Sequence, residues 1–151
     1  MLILAALALF AQEAPAVDPS QDTAWMNRQM LALASLKGGE GWHSAEGGLR
    51  WRRVKGDGAG THPSATDQVT IHYAGSFIDG TEFDSSYGRG PATFPLDRLI
   101  RAWQIAVPLM GVGDTIEIAV PSDLGYGPRG KGPIPGGATL LFKIELLGIG
   151  G

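Results

Sequence analysis

Side chains able to do chemistry are few in this sequence, and their spacing narrows what chemistry is open. There is no cysteine, which removes thiolate nucleophiles, cysteine-ligated zinc and disulfides together. The three histidines, His43, His62 and His72, lie far apart, and none is paired at the i, i+4 spacing that puts two imidazoles on one helical face. They read as solvated or edge-of-core residues, and no metal site is expected. No P-loop or nucleophile motif occurs, so hydrolase chemistry has little support. What remains is Asp84 ahead of Ser85 and Ser86, Arg89 in a glycine-rich loop, and Tyr126 between Gly125 and Gly127. Taken alone, Asp84 could cap a turn, and Arg89 reads as a solvated charge. Tyr73, Trp103 and Phe142 fit core positions by periodicity. Tyr126 is harder to assign to packing: a large aromatic amid so much backbone freedom is better placed for contact.

Composition sets the frame that must position these residues. With 151 residues and 44% hydrophobic content, the chain suits one well-buried domain with an N-terminal extension. The net charge of -3 gives no sign of a phosphate-binding surface, and nucleic acid is not an expected partner. Leu2 to Ala11 is an unbroken apolar run, long enough for a secretory h-region and too short to span a bilayer. Ala14-Pro15-Ala16 supplies a small-x-small cleavage pattern, although no Lys or Arg precedes the run. Residues 1–16 therefore read as a signal peptide, with an uncleaved anchor or a misplaced start codon as the alternatives, and the chain as an exported, periplasmic protein with no membrane span once the leader is cleaved.

Residues 17–48 read as an N-terminal helix from Thr23 to Leu36, capped by Ser20 or Asp22, and a Gly-rich linker from Gly38 to Gly48. Such a helix is marginal alone; it must pack on the main domain, pair with another chain, or fray. The main domain is expected over 49–151. Leu49, Trp51 and Val54 signal a short strand. Gln68 to Phe77 alternates, with Val69, Ile71 and Tyr73 on one face. Asp79-Gly80 then marks a hairpin. Further strands are expected over Thr81–Ser86, Ala92–Pro95, Thr115–Val120 and Leu140–Leu147, with one helix from Leu99 to Met110 shortened by Pro108. The loop from Pro121 to Gly137 carries four prolines and six glycines, and loops of that length are usually functional. The fold class is α+β, a twisted antiparallel β-sheet half-wrapped around one short α-helix.

Val69 to Gly90 reads VTIHYAGSFIDGTEFDSSYGRG and Leu124 to Leu147 reads LGYGPRGKGPIPGGATLLFKIELL. With LIRAW at Leu99 to Trp103, these segments resemble the FKBP-type peptidyl-prolyl cis-trans isomerases over about two-thirds of the chain. The resemblance implies an apolar pocket between helix and sheet. Trp103 would form its floor, with Tyr73, Phe83, Leu99, Ile100, Tyr126, Ile134 and Phe142 as walls, and Asp84 as the one carboxylate looking in. It further implies that Tyr73 and Arg89 orient Asp84, and that Tyr126 donates its hydroxyl to a substrate carbonyl. Tyr73, Asp84, Trp103, Tyr126 and Phe142 are the expected catalytic residues; Phe83, Leu99, Ile100, Ile134 and Arg89 are expected to bind substrate.

Such a pocket suits rotation about an X-Pro bond. The barrier of ~18–20 kcal/mol reflects amide resonance, which is lost as the C–N bond twists. A twisted amide has less charge separation, so a dry apolar cavity favours it over the planar form. The expected substrates are X-Pro bonds in unfolded or partly folded polypeptides; no cofactor is needed, and macrolide inhibitors are further candidate ligands. The alternative is a peptide-binding or chaperone module with little or no turnover. Three departures from the family pattern bear on pocket shape: Ala102 replaces a glycine, Ala92 a larger apolar residue, and Ile134 stands alone where two apolar residues are usual.

Overall fold

Alternating apolar residues predict strands, and seven form in the computed structural model, which describes residues 18–150. The leader expected over residues 1–16 lies outside the described residues. The strands are β1 (His43–Ser44), β2 (Arg50–Lys55), β3 (Gln68–Phe77), β4 (Glu82–Ser85), β5 (Ala92–Pro95), β6 (Thr115–Val120) and β7 (Leu140–Ile149). All pairs are antiparallel, in the order β1-β2-β6-β7-β3-β4. β5 and β4 share one edge of β3, pairing with residues 68–71 and 74–76 in turn. The chain between them is thereby forced out of the sheet, and it carries Ser86 and Arg89.

Period two puts Val69, Ile71 and Tyr73, Ile116, Ile118 and Val120, and Leu140, Phe142, Ile144 and Leu146 on one face, all buried. Helix α2 (Arg101–Ala106) is buried through Ala102, Trp103 and Ala106, in the same core cluster as these strand residues. The helix is shorter than the Leu99–Met110 expected. Leu99 is extended, at φ -88° and ψ 169°, because Leu96–Arg98 forms a 3₁₀ turn closed by the Leu99 N–H on the Leu96 carbonyl. At the other end Pro108, which has no N–H to continue the ladder, sits in a 3₁₀ turn over Val107–Leu109. Val54, part of the signal for β2, is 52% exposed; the β2–β6 register shifts between Arg53 and Lys55, on either side of it.

The N-terminal extension is not separate from this body. Helix α1 (Thr23–Ala34) starts at an Asp22 cap whose carboxylate accepts the Ala24 N–H at 3.0 Å. Its buried Gln29 is tied across the fold: the Thr139 N–H donates to Gln29 Oε1 at 2.8 Å and the Thr139 hydroxyl to the Gln29 carbonyl at 2.9 Å. Trp25 packs against the core, and Arg50 donates to the Leu36 carbonyl at 2.9 Å. Of the three fates open to this helix, packing on the main domain is the one seen. The segment read as a linker, Gly38 to Gly48, instead makes 3₁₀ turns at Gly38–Glu40 and Glu46–Gly48 around β1, which pairs with Trp51 and Arg50. Its glycines carry turns that fold it back onto β2. Among the described residues no helix is long and apolar enough to cross a membrane.

Candidate functional site

β3 sets the site's geometry. It runs between β7 and the β4/β5 edge, and alternation sends Tyr73 to the face on which Trp103 and Phe142 are buried. Tyr73 and Trp103 meet with centroids 5.3 Å apart at 68°, Trp103 and Phe142 at 5.3 Å and 87°, and Phe142 and Phe83 at 5.6 Å and 86°. These edge-to-face arrangements fix each ring by the quadrupole of the next. Leu99 and Ile134 are buried in the same cluster, and the half-buried Ile100 and Tyr126 pack against it. Tyr73, Trp103 and Phe142 expose no more than 2%, so they lie deep and Ile100 and Tyr126 lie nearer the surface.

A carboxylate is anchored beside the rings. The Tyr73 hydroxyl donates to Asp84 Oδ2 at 2.9 Å, and Arg89 Nη2 donates to Oδ1 at 2.9 Å and to the Tyr73 oxygen at 3.3 Å. The Asp84 side chain is only 4% exposed while that of Arg89 is 51% exposed, so the guanidinium reaches in from solvent to a buried charge. Arg89 is itself braced by donating to the Ser85 carbonyl. Burial, and then the hydrogen bond to Asp84, push the Tyr73 phenol well above its ordinary range, so it stays a donor. All ten residues expected at the site are thus gathered: three in the hydrogen-bonded triad, the rest in or against one apolar cluster. A recess of about 290 Å³ borders the triad between Tyr73, Arg89, Ala92 and Phe94.

Tyr126 is held in the loop after β6, following the 3₁₀ turn Ser122–Leu124. The Gly127 N–H returns to the Ser122 carbonyl at 2.8 Å and the Gly137 N–H to the Gly127 carbonyl at 3.0 Å, so the loop is closed at both ends. The Tyr126 hydroxyl is buried and has no hydrogen-bond partner among the described residues, and Trp103 Nε1 shares that state. Burial, then the Asp84 charge, push the Tyr126 phenol up to about 12. It is therefore a buried donor, on a residue packed against the apolar cluster, with no acceptor engaged. Among the described residues no group of three His, Asp or Glu could hold a metal ion.

Two positioning residues escape the sequence reading. Ser86 is buried; its Oγ accepts the Tyr73 N–H at 2.8 Å and meets His72 Nδ1 at 2.8 Å, and its carbonyl takes the Arg89 and Gly90 N–H groups at 3.0 Å. One serine so fixes both partners of Asp84. Gly75 pairs with Phe142 on β7 and with Asp84 on β4. A Cβ there would lie 2.7 Å from both Phe142 Cε1 and Phe83 Cζ, so the two rings close over the bare backbone. Nothing in the alternation of β3 singles out that glycine; only the facing rings do.

Comparison with known proteins agrees with this geometry. Residues 59–147 match the model of a family described as FKBP-type peptidyl-prolyl cis-trans isomerase. The chain is 48% identical over 118 residues to FkpA of Aeromonas hydrophila, itself described as such an isomerase, covering 78% of this chain and 44% of that protein. It is 49% identical over 112 residues to the FKBP-type 22 kDa isomerase of Escherichia coli strain K12, covering 73% and 54%. The chain thus spans about half the length of these curated relatives. Among solved structures, a peptidyl-prolyl cis-trans isomerase from Pseudomonas syringae pv. tomato superposes with a TM-score of 0.77 at 30% identity, over 83% of this chain and 93% of that one. An anchored buried carboxylate, a chain of crossed rings and a loop tyrosine with its hydroxyl unengaged sit inside a matched segment of this extent, and the chain belongs to the FKBP-type peptidyl-prolyl cis-trans isomerase family.

Proposed function

We propose that this chain accelerates rotation about X-Pro bonds in unfolded or partly folded polypeptides, using the site around Trp103. The proline ring packs onto the cluster built on Trp103, Tyr73, Phe142 and Phe83, with Leu99, Ile100 and Ile134 around it. In that water-poor setting the planar, dipolar amide loses more solvation than the twisted one, which lowers the barrier between them. Each 1.4 kcal/mol of differential binding gives about tenfold in rate. The Tyr126 hydroxyl donates to a carbonyl of the bound segment and fixes one side of the rotating bond. Asp84, held by Tyr73 and Arg89, is the one carboxylate near the rotating group. No covalent intermediate enters this account. The observation that carries it is the buried Tyr126 hydroxyl without an acceptor, on a residue packed against the cluster that holds the crossed rings.

A proline-isomerisation assay by exchange NMR on a short X-Pro peptide tests the proposal. Wild type accelerates exchange, and Tyr126→Phe, Asp84→Val and Trp103→Ala combined lose that acceleration. No acceleration by wild type, or an unchanged rate in the triple variant, overturns it, and peptide binding without turnover would assign the site to a binding module. Macrolides are proposed to compete for the same rings, which competition in that assay reads. Export to the periplasm is proposed from the apolar run at Leu2 to Ala11. Sequencing the mature N-terminus from fractionated cells tests it: a start before Pro15 in a cytoplasmic fraction refutes it.

A further inference from the structure

A second groove, of about 320 Å³, lies apart from the ring cluster and is lined by Trp25, Arg28 and Gln29 of α1, Phe77, Ile78 and Asp79 of the β3–β4 turn, and Pro133 and Pro135. Its surfaces are chemically sorted. Trp25, Phe77, Ile78 and the two prolines are apolar. On the α1 side stand donors: Arg28 makes no hydrogen bond or ion pair among the described residues, and Gln29 has its Oε1 occupied by the Thr139 N–H, which leaves the amide NH₂ free to donate. On the turn side stands the Asp79 carboxylate, which accepts the Thr81 N–H at 2.8 Å and retains further acceptor capacity. Donors on one wall and an acceptor on the other, over an apolar floor, match the alternating carbonyl and N–H groups of an extended chain that carries an apolar side chain.

The groove is connected to the proposed proline site through a row of packed rings. Phe77 packs on Phe83 at 5.0 Å, Phe83 on Phe142 at 5.6 Å, and Phe142 on Trp103 at 5.3 Å. End to end, three such ring-to-ring steps are spanned by at most about five residues of extended chain at ~3.3 Å each. The loop from Lys131 to Gly136 divides the two: Ile134 is buried in the core cluster, while Pro133 and Pro135 on either side of it face the groove. Resting on the proposed isomerase reading, we infer that this groove is a second polypeptide subsite that binds an apolar residue of the substrate about five positions from the isomerised proline, with α1 as one wall. Helix α1 is then part of substrate recognition as well as of the fold.

The test compares two peptides sharing one X-Pro bond: a tetrapeptide, and an unstructured peptide of about 15 residues with apolar residues about five positions from the proline on either side. Wild type shows kcat/KM for the longer peptide at least about fivefold above the tetrapeptide, equivalent to about 1 kcal/mol. Arg28→Ala and Ile78→Ser each bring that ratio toward one, acting through KM because the groove binds ground and transition states alike. Both positions sit at or near the surface, so the variants fold; matching thermal melts check this. A ratio unmoved by either variant, or a longer peptide no better than the tetrapeptide, overturns the inference. Concentration-dependent self-association lost in the same variants, with the ratio unmoved, assigns the groove to a second copy and overturns it too. If wild type isomerises neither peptide, the isomerase reading fails on its own. Fluorescence-anisotropy binding of the longer peptide, weakened about fivefold in both variants, then still supports the groove, and unaltered binding refutes it.

Discussion

Gly75→Ala gives the sharpest test of how the site is held together. A methyl group at this position would meet Phe142 Cε1 and Phe83 Cζ at 2.7 Å and Phe142 Cδ1 at 3.0 Å. An isolated ring tip would swing aside at little cost. These rings cannot, because Phe83 and Phe142 are 3% and 2% exposed and Phe142 is also crossed against Trp103. Pushing buried side chains off their rotamers in a packed core costs about 1–3 kcal/mol, which lowers Tm by roughly 3–10 °C in a domain of this size. A domain stable by ~5–15 kcal/mol remains almost wholly folded at 25 °C after that loss. Any fall in activity there must come from ring placement, and displacements of ~1 Å can cost up to about 100-fold. The expected result is a drop of at least about tenfold in kcat/KM at 25 °C, with the far-UV spectrum unchanged. Adding Phe83→Leu to Gly75→Ala opens room for the methyl and restores part of the lost Tm, a non-additivity diagnostic of direct contact. Wild-type Tm and kcat/KM in Gly75→Ala would refute the reasoning.

Tyr126→Phe removes an unengaged buried hydroxyl, so thermal melts should show equal or slightly greater stability, while kcat/KM falls about 3- to 10-fold for one lost neutral hydrogen bond; a destabilised variant would mean the hydroxyl is engaged in the free protein. Gln29→Ala leaves the Thr139 N–H unpaired, which costs about 1–3 kcal/mol. Hydrogen exchange should then speed up throughout α1, since a helix of this length is marginal without its dock. Asp114 is buried, which alone would raise its pKa, yet the N–H groups of Gly111 and Gly58 and the Arg53 guanidinium outweigh burial and hold it below the usual carboxylate range. Its contribution is present above the unfolded value of about 3.9 and is lost as pH falls through the lower folded value. Urea midpoints should therefore decline below about pH 4 in wild type and decline less in Asp114→Asn, which is also less stable at pH 7.

The strands were legible because each has one face to bury: Val69, Ile71 and Tyr73 alternate cleanly, and Asp79-Gly80 supplies the turn that returns the chain, with Gly80 at φ +91°. Two-residue β1 carries no alternation to detect, and the glycines that flank it resemble a linker until β2 is there to pair with. The ends of α2 are harder to read: Leu99 continues the helical spacing while its backbone is extended, and after Val107 the helix tightens into a 3₁₀ turn that apolar spacing does not reveal. How α1 docks was not legible at all. The tie runs through Gln29, a polar residue that hydrophobic periodicity ignores, to a partner 110 positions away. At the site, residue types and order pointed to Tyr73, Asp84, Arg89 and the rings through family resemblance, but the roles of Ser86 and Gly75 exist only as neighbour relations. A small buried residue has no chemistry to advertise, and its importance is the shape of what surrounds it.

The position of β7 also bears on how this protein comes into being. It is last of the seven strands in chain order, yet it lies between β6 and β3 in the middle of the sheet. Until it emerges, β6 and β3 have no common partner, and Phe142, on which the crossed rings converge, is missing. A nascent chain stopped before Leu140 can pair β1, β2 and β6, and β3 with β4 and β5, but has nothing to join the two sets, so assembly of the sheet awaits completion and proceeds through distant pairings, which are slow to form.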